Sequence, residues 1–404
     1  IGMTEMSSSV AQNILFVDGE ASSQVEELAR FVGAQRGGEQ EFAFGDGGAA
    51  VVVAGCLGGV LAGADEEKLE AVYNQLFAVI ALDGPAESAG ARLALHTEAI
   101  VSDVAAHCAS GAGALHVLNN LYGVLASVGG EGSGAARARV FEGVVQVAEA
   151  RGQLAALVPL VGRVAAVAGE WGVDAGEQRR VLLRLRAALD AAGLGNEAYG
   201  VELAVLPLGG DASVGTSAIV RFANLAAVCD VDALAAAVAG VAVAPLAAQV
   251  LEVLVSGDYA AWRAFAGAQG AALAQLGVDA ERCGDKMRLL TVAMLAARSL
   301  GRPVAFAQVA AAIEVAEEDV EMWVIDVIRA GLVQGKMNQV ERWLLPTRST
   351  YRVFGGEQWA QLRERLAAWR AALEDLQPVI ANAKLVAQQQ AQQMAGQARV
   401  TIKE

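Results

Sequence analysis

The stretch STYRVFGGEQWAQLRERLAAWRAALEDL, residues 349–376, constrains this chain more than any other. After Gly355 and Gly356, the residues Trp359, Leu362, Leu366, Trp369, Leu373 and Leu376 follow at spacings of three, four, three, four and three. On a helix these positions form one line, the a and d positions of a heptad repeat. A stripe this narrow suits a seam against other helices better than the broad face of a globular core. Two tryptophans lie on it, and Trp is enriched among interface anchors. Two readings stand: the helix folds back on its own chain, or it bundles with helices of partners.

Upstream the chain repeats one theme, an Ala/Leu/Val helix, a short Gly or Asn turn, and another helix. In residues 177–206, Val181, Leu182, Leu185, Ala188 and Leu189 fall at helical spacing. GLGN (193–196) turns the chain, and Ala198, Val201, Leu203 and Val205 supply apolar surface for the returning helix. Helix pairs of this kind stack into a solenoid in which each pair buries its face on the next. Hydrophobic residues make up 55% of the chain, but aromatics only 5%; Ala and Gly inflate the first figure, so it overstates the core. Few runs alternate as strands do. Residues 233–251 carry no charge, yet nine of the nineteen are Ala, and Gly240 and Pro245 interrupt them. Two short buried helices meeting near Val243 are expected there, not a membrane span.

The pattern changes after residue 285. Residues 285–300 form a helix with Met287, Leu290, Met294 and Ala297 on one side, GRPVAF gives a turn and a brief strand, and 306–313 a second helix. A third helix is expected with Glu317, Glu318 and Asp319 in its first turn, Val320, Val324, Val327 and Ile328 facing the core, and Gly331 ending it. LVQGKM and VERWLLP then read as two strands meeting at Asn338-Gln339, with Pro346 closing the second. Helix, strand, helix, helix, hairpin is the order of a winged helix.

Residues 286–296, 317–341 and 349–373 together resemble the PCI-domain proteins, and most specifically the subunit M family of eukaryotic translation initiation factor 3. Arg352 and Phe354-Gly355, followed by Gln358-Trp359, Leu362 and Trp369, carry the most specific part. Weaker similarity runs back through 169–191 to about residue 92; the first 90 residues match only in general character. The resemblance implies a mainly α protein, an α-solenoid of helical repeats followed by a winged-helix (PCI) module and a long C-terminal helix. It implies a non-catalytic scaffold that assembles with other PCI subunits and with MPN-type subunits, in a cytoplasmic complex that binds the small ribosomal subunit. A PCI scaffold subunit of the proteasome lid or signalosome is the alternative. The expected divisions are a flexible lead-in and Gly-rich loop (1–48), the solenoid (49–284), the winged helix (285–348, within a PCI domain of about 187–350), and the C-terminal heptad helix with a polar tail (355–394).

The net charge of −15 argues against general affinity for phosphate backbones. Cys56, Cys108, Cys229 and Cys283 lie far apart and read as buried, reduced thiols. No signal peptide is expected, since the first basic residue is Arg30. His96, His107 and His116 are spaced eleven and nine apart, which places no two on one helical face, so no metal or other cofactor is expected. VGGEGSGAARARV (128–140) follows a helix and lacks Gly-Lys-Ser/Thr, so it reads as a loop and not a phosphate cradle. An enzyme with its active site on the concave face of the solenoid is the rival of another class, and no motif supports it.

The third helix of the winged helix presents Glu318, Glu321 and Asp326, which excludes reading DNA bases. Between residues 336 and 370, by contrast, Lys336, Arg342, Arg348, Arg352, Arg363, Arg365 and Arg370 face only three glutamates. Solvated arginines flanking an interface account for them; contact of Lys336, Arg348, Arg352, Arg363, Arg365 and Arg370 with RNA or an acidic partner is the functional reading. The expected partner surfaces are the six seam residues and, on the winged helix, Arg342 and Trp343.

Overall fold

The computed structural model describes residues 21–35, 48–60, 66–83, 86–108, 111–130, 132–209, 212–226 and 230–401. The solenoid comprises α1 (Ala21–Gln35), α2 (Gly48–Cys56), α3 (Glu66–Leu82), α4 (Ala89–His107), α5 (Gly111–Val128), α6 (Ser133–Ala150), α7 (Val158–Val161), α8 (Val164–Gly169), α9 (Ala175–Ala191), α10 (Gly195–Val205), α11 (Ala212–Asn224), α12 (Val231–Val238), α13 (Pro245–Ser256) and α14 (Tyr259–Leu276). α3 packs on α5, α4 on α6, and α6 on α9. Helices thus meet neighbours beyond their own hairpin, which is how a solenoid buries surface that a single hairpin leaves bare.

Local chemistry sets the helix starts. The side chains of Asp174, Asp230, Asp258 and Asp279 accept hydrogen bonds from backbone N–H groups in the first turns of α9, α12, α14 and of α15 (Ala280–Arg298). Such caps satisfy donors that a helix cannot satisfy itself. The glycines also do packing work: a Cβ on Gly90 would sit 1.6 Å from the Gly129 carbonyl oxygen, and one on Gly134 1.7 Å from that of Trp171. Trp171 is sealed in there, with Nε1 donating to Tyr122 Oη at 3.0 Å and its ring 5.3 Å from Phe141. The expected pair at 233–251 is present as α12 and α13, and among the described residues no helix is long and apolar enough to cross a membrane.

The winged helix follows in the expected order: α15, β1 (Val304–Ala305), α16 (Phe306–Ile313), α17 (Val320–Arg329), β2 (Val333–Asn338) and β3 (Trp343–Ser349). Its antiparallel sheet has the order β1-β3-β2, with Leu344 opposite both Val304 and Met337. One continuous core runs from Leu28 in α1 to Leu344 in β3. The expected divide at 284/285 falls inside α15, which packs on α11 and α14 of the solenoid and on α16, α17 and β3 of the winged helix.

Several expectations need correcting. Residues 21–35, placed in the lead-in, form α1, because Leu28 and Val32 bury completely; residues 1–20 and 36–47 lie outside the described residues, as does Cys229. Glu317 and Glu318 occupy the turn ahead of α17 and Asp319 its N-cap position, so none stands in the first turn. Val320, Val324 and Val327 are buried, but Ile328 is exposed, since the buried face of so short a helix is only one residue wide at its end. Pro346 does not close β3, which continues to Ser349. A bulge between Gln334 and Gly335 lies opposite, a place where a strand tolerates proline, and the Pro346 carbonyl accepts from Gly301 N at 2.9 Å.

Candidate assembly interface

The last helix, α18 (Gly356–Thr401), runs 46 residues, past the expected end at 394. Its start is fixed by a half capping box: Gln358 Oε1 accepts from Gly355 N at 3.0 Å, and Trp359 N bonds the Gly355 carbonyl at 3.1 Å. Pro378 sits inside it without ending it.

The seam is bare. Trp359, Leu362, Leu366, Trp369, Leu373 and Leu376 are all exposed, by 38% at Leu362 and 64% at Trp369. Ile380, four residues after Leu376, extends the line past the proline and is exposed as well. Among the described residues, then, no other element covers the seam, as one would if the helix folded back. A run of large apolar side chains on one narrow line is unlike the singly scattered hydrophobics of ordinary surfaces.

The second expected surface is smaller. Trp343 opens β3, half-buried, with Nε1 donating to Glu341 Oε2 at 2.7 Å; the exposed Arg342 pairs with Glu317 at 3.2 Å. β2 is one of the two edge strands of the sheet and the longer of them, and an edge strand presents a row of backbone groups outside the ladder.

Comparison with known families bears on both surfaces. Residues 272–346 match the PCI domain, and residues 352–380 match the family described as eIF3 subunit M, C-terminal helix. Among curated proteins, the chain is similar to eukaryotic translation initiation factor 3 subunit M of Aspergillus oryzae, 45% identical over 138 residues, which is 33% of this chain and 29% of that protein. It is 52% identical over 101 residues to the subunit M of Neosartorya fischeri, covering 25% of this chain and 22% of that protein. To the subunit M of Phaeosphaeria nodorum it is 42% identical over 138 residues, 34% of this chain and 31% of that protein. The chain is thus similar to subunit M of initiation factor 3 over part of its length. The match spans about a third of the length of these relatives or less.

The subunit M helix match takes in the whole seam, from Arg352 ahead of Trp359 to Ile380. Of the basic residues near it, Lys336, Arg348, Arg363, Arg365 and Arg370 are exposed, with Arg370 bonded to Glu374 at 2.9 Å. Arg352 is the exception and a correction. It turns inward, donating from Nη1 to the Gly257 carbonyl, with that of Leu254 at 3.4 Å, at the end of α13. Helix C-termini leave carbonyls without partners, and a guanidinium is a natural group to meet them. It is therefore not free for RNA.

The histidines are apart. His107 Nδ1 lies 2.9 Å from Asp103 Oδ1, His116 Nδ1 is 4.0 Å from Glu70, and burial lowers the pKa of His96. Among the described residues no group of three potential ligands could hold a metal. Two features escaped the sequence. One is the aromatic ladder from Tyr351 through Phe354 to Trp359, at 5.8 and 5.0 Å between centroids. The other is Glu202, fully buried and bonded to both Arg186 and Arg221. Spacing alone betrays neither, since each depends on side chains brought from different turns or helices.

Proposed function

We propose that this chain is a non-catalytic scaffold subunit of the eukaryotic translation initiation factor 3 complex. It works in the cytoplasm, supporting assembly of the complex core and its binding to the small ribosomal subunit. The observation that carries the reading is the bare heptad seam lying wholly inside the subunit M helix match. A helix with this stripe is completed by helices of other subunits, PCI and MPN types, that bring matching a and d positions. The winged helix is the second contact, by strand addition on the edge strand β2 or by side-by-side packing on Arg342 and Trp343, the latter lying on the central strand β3. Lys336, Arg348, Arg363, Arg365 and Arg370 flank these surfaces and meet an acidic subunit or ribosomal RNA.

A tagged chain isolated from cells and identified by mass spectrometry with its bound proteins tests this. Initiation factor 3 subunits in stable proportion are expected. Proteasome-lid or signalosome subunits would instead assign the scaffold to another PCI complex, and a chain that copurifies with neither would refute the scaffold reading.

A further inference from the structure

The junction between the winged helix and α18 is tied down at several points within a few residues. Ser349 Oγ donates to the Ala293 carbonyl and Thr350 N to that of Leu332, both at 2.8 Å. Tyr351, Phe354 and Trp359 pack in successive T-shaped, edge-to-face contacts. In the middle, Arg352 reaches across to the end of α13, about a hundred residues earlier in the chain.

Arg352 is held at a cost. Nε and Nη2 are shut off from solvent with no hydrogen-bond partner among the described residues. Burial pulls its pKa down to about 10, against the opposing charge of Asp258. A buried charge with donors left unmade is a poor stabiliser, and an apolar side chain of similar length costs less. What a guanidinium supplies is direction, because its planar donors accept only a narrow range of geometries. Direction matters here, since at about 1.5 Å per residue α18 is roughly 70 Å long, and a tilt of about 10° at its base moves the far end by roughly 12 Å.

We propose that Arg352 is a positioning residue: by tying the base of α18 to the end of α13, it sets the direction in which the seam is presented. Its consequence for assembly rests on the function proposed above; the positioning itself is a property of the isolated chain.

The test places spin labels, through a bio-orthogonal amino acid, at the exposed positions Glu281 and Glu374 of the full chain and measures their distance distribution by electron–electron double resonance. A narrow distribution is expected for the parent. Arg352→Met, which keeps the stem and removes the donors, is expected to broaden it at least twofold while the thermal midpoint stays the same or rises. A merely structural arginine would lower the midpoint. Arg352→Lys, with a donor but no planar fork, is expected in between. Parent width in Arg352→Met overturns the proposal; should that variant fail to fold, parent width in Arg352→Lys does so. Seam substitutions that abolish assembly while Arg352→Met keeps parent distances would uphold the assembly reading and overturn this one.

Discussion

Trp359 lies edge-on to Phe354, with ring centroids 5.0 Å apart and planes at 86°, while 62% of its surface still faces solvent. The first seam residue thus meets an aromatic ring of its own chain. Ten residues on, Trp369 is 64% exposed, in a helix that no other described element covers.

That contrast predicts a separation of stability from assembly. In the isolated chain Trp369→Ala changes the unfolding free energy by no more than about 0.5 kcal/mol, as for other surface substitutions. Urea denaturation followed by circular dichroism measures it. A loss of several kcal/mol would mean that the seam is covered within the chain.

Inside the solenoid the opposite holds. Glu202 is fully buried between Arg186 and Arg221, at 2.9 Å from each, and Arg221 also holds Asp190. Glu202→Ala strands two guanidinium groups and is expected to cost about 3–5 kcal/mol in the same urea experiment. A change under about 1 kcal/mol would show that the network carries little of the fold, by the same reasoning.

The described thiols make a chemical prediction. Burial, with the Asp103 charge adding to it, pushes Cys108 up to about 11, and burial pushes Cys283 up to about 12. Both should be alkylated by iodoacetamide at pH 8 at least about a hundredfold more slowly than a free thiol, because the thiolate is the reactive form. Peptide mapping by mass spectrometry reads the sites; rapid modification of the folded chain would contradict their burial.

On the winged helix, Arg342→Glu with Trp343→Ala removes the pair with Glu317 and the contact with Glu341. Helical circular dichroism should stay close to that of the parent, while recovery with other initiation factor 3 subunits falls severalfold. Normal copurification of the double variant would remove this edge from the interface.

Much of this architecture is legible in residue spacing. The heptad seam shows because its apolar period is near 3.5, and the winged helix because its breakers, Gly301, Gly331 and Asn338, stand where elements end. α9 and α10 show through their stripes and the glycines between them. What spacing does not record is where a side chain turns once distant helices meet. Arg352 reads as one of seven basic residues, and only the nearby end of α13 draws it inward. Glu202 stands in α10 between Val201 and Leu203, and Arg186 and Arg221, from two other helices, let it be buried. Pro346 reads as a strand terminator, and only a bulge in its partner strand lets β3 continue.

On the function proposed above, α18 joins the chain to its complex through the seam. The most direct measurement is the stoichiometry of the purified complex when the full chain carries Leu366→Ala with Trp369→Ala, against Arg363→Ala, an exposed residue off the line, as control. The mid-seam pair lies where truncation costs most, on the order of 2–4 kcal/mol per residue at a hot spot. The double variant is expected to fold, keep its helical circular dichroism and drop out of the complex, while Arg363→Ala assembles normally. Incorporation of the double variant at parental stoichiometry would contradict this and leave α18 without a role in assembly.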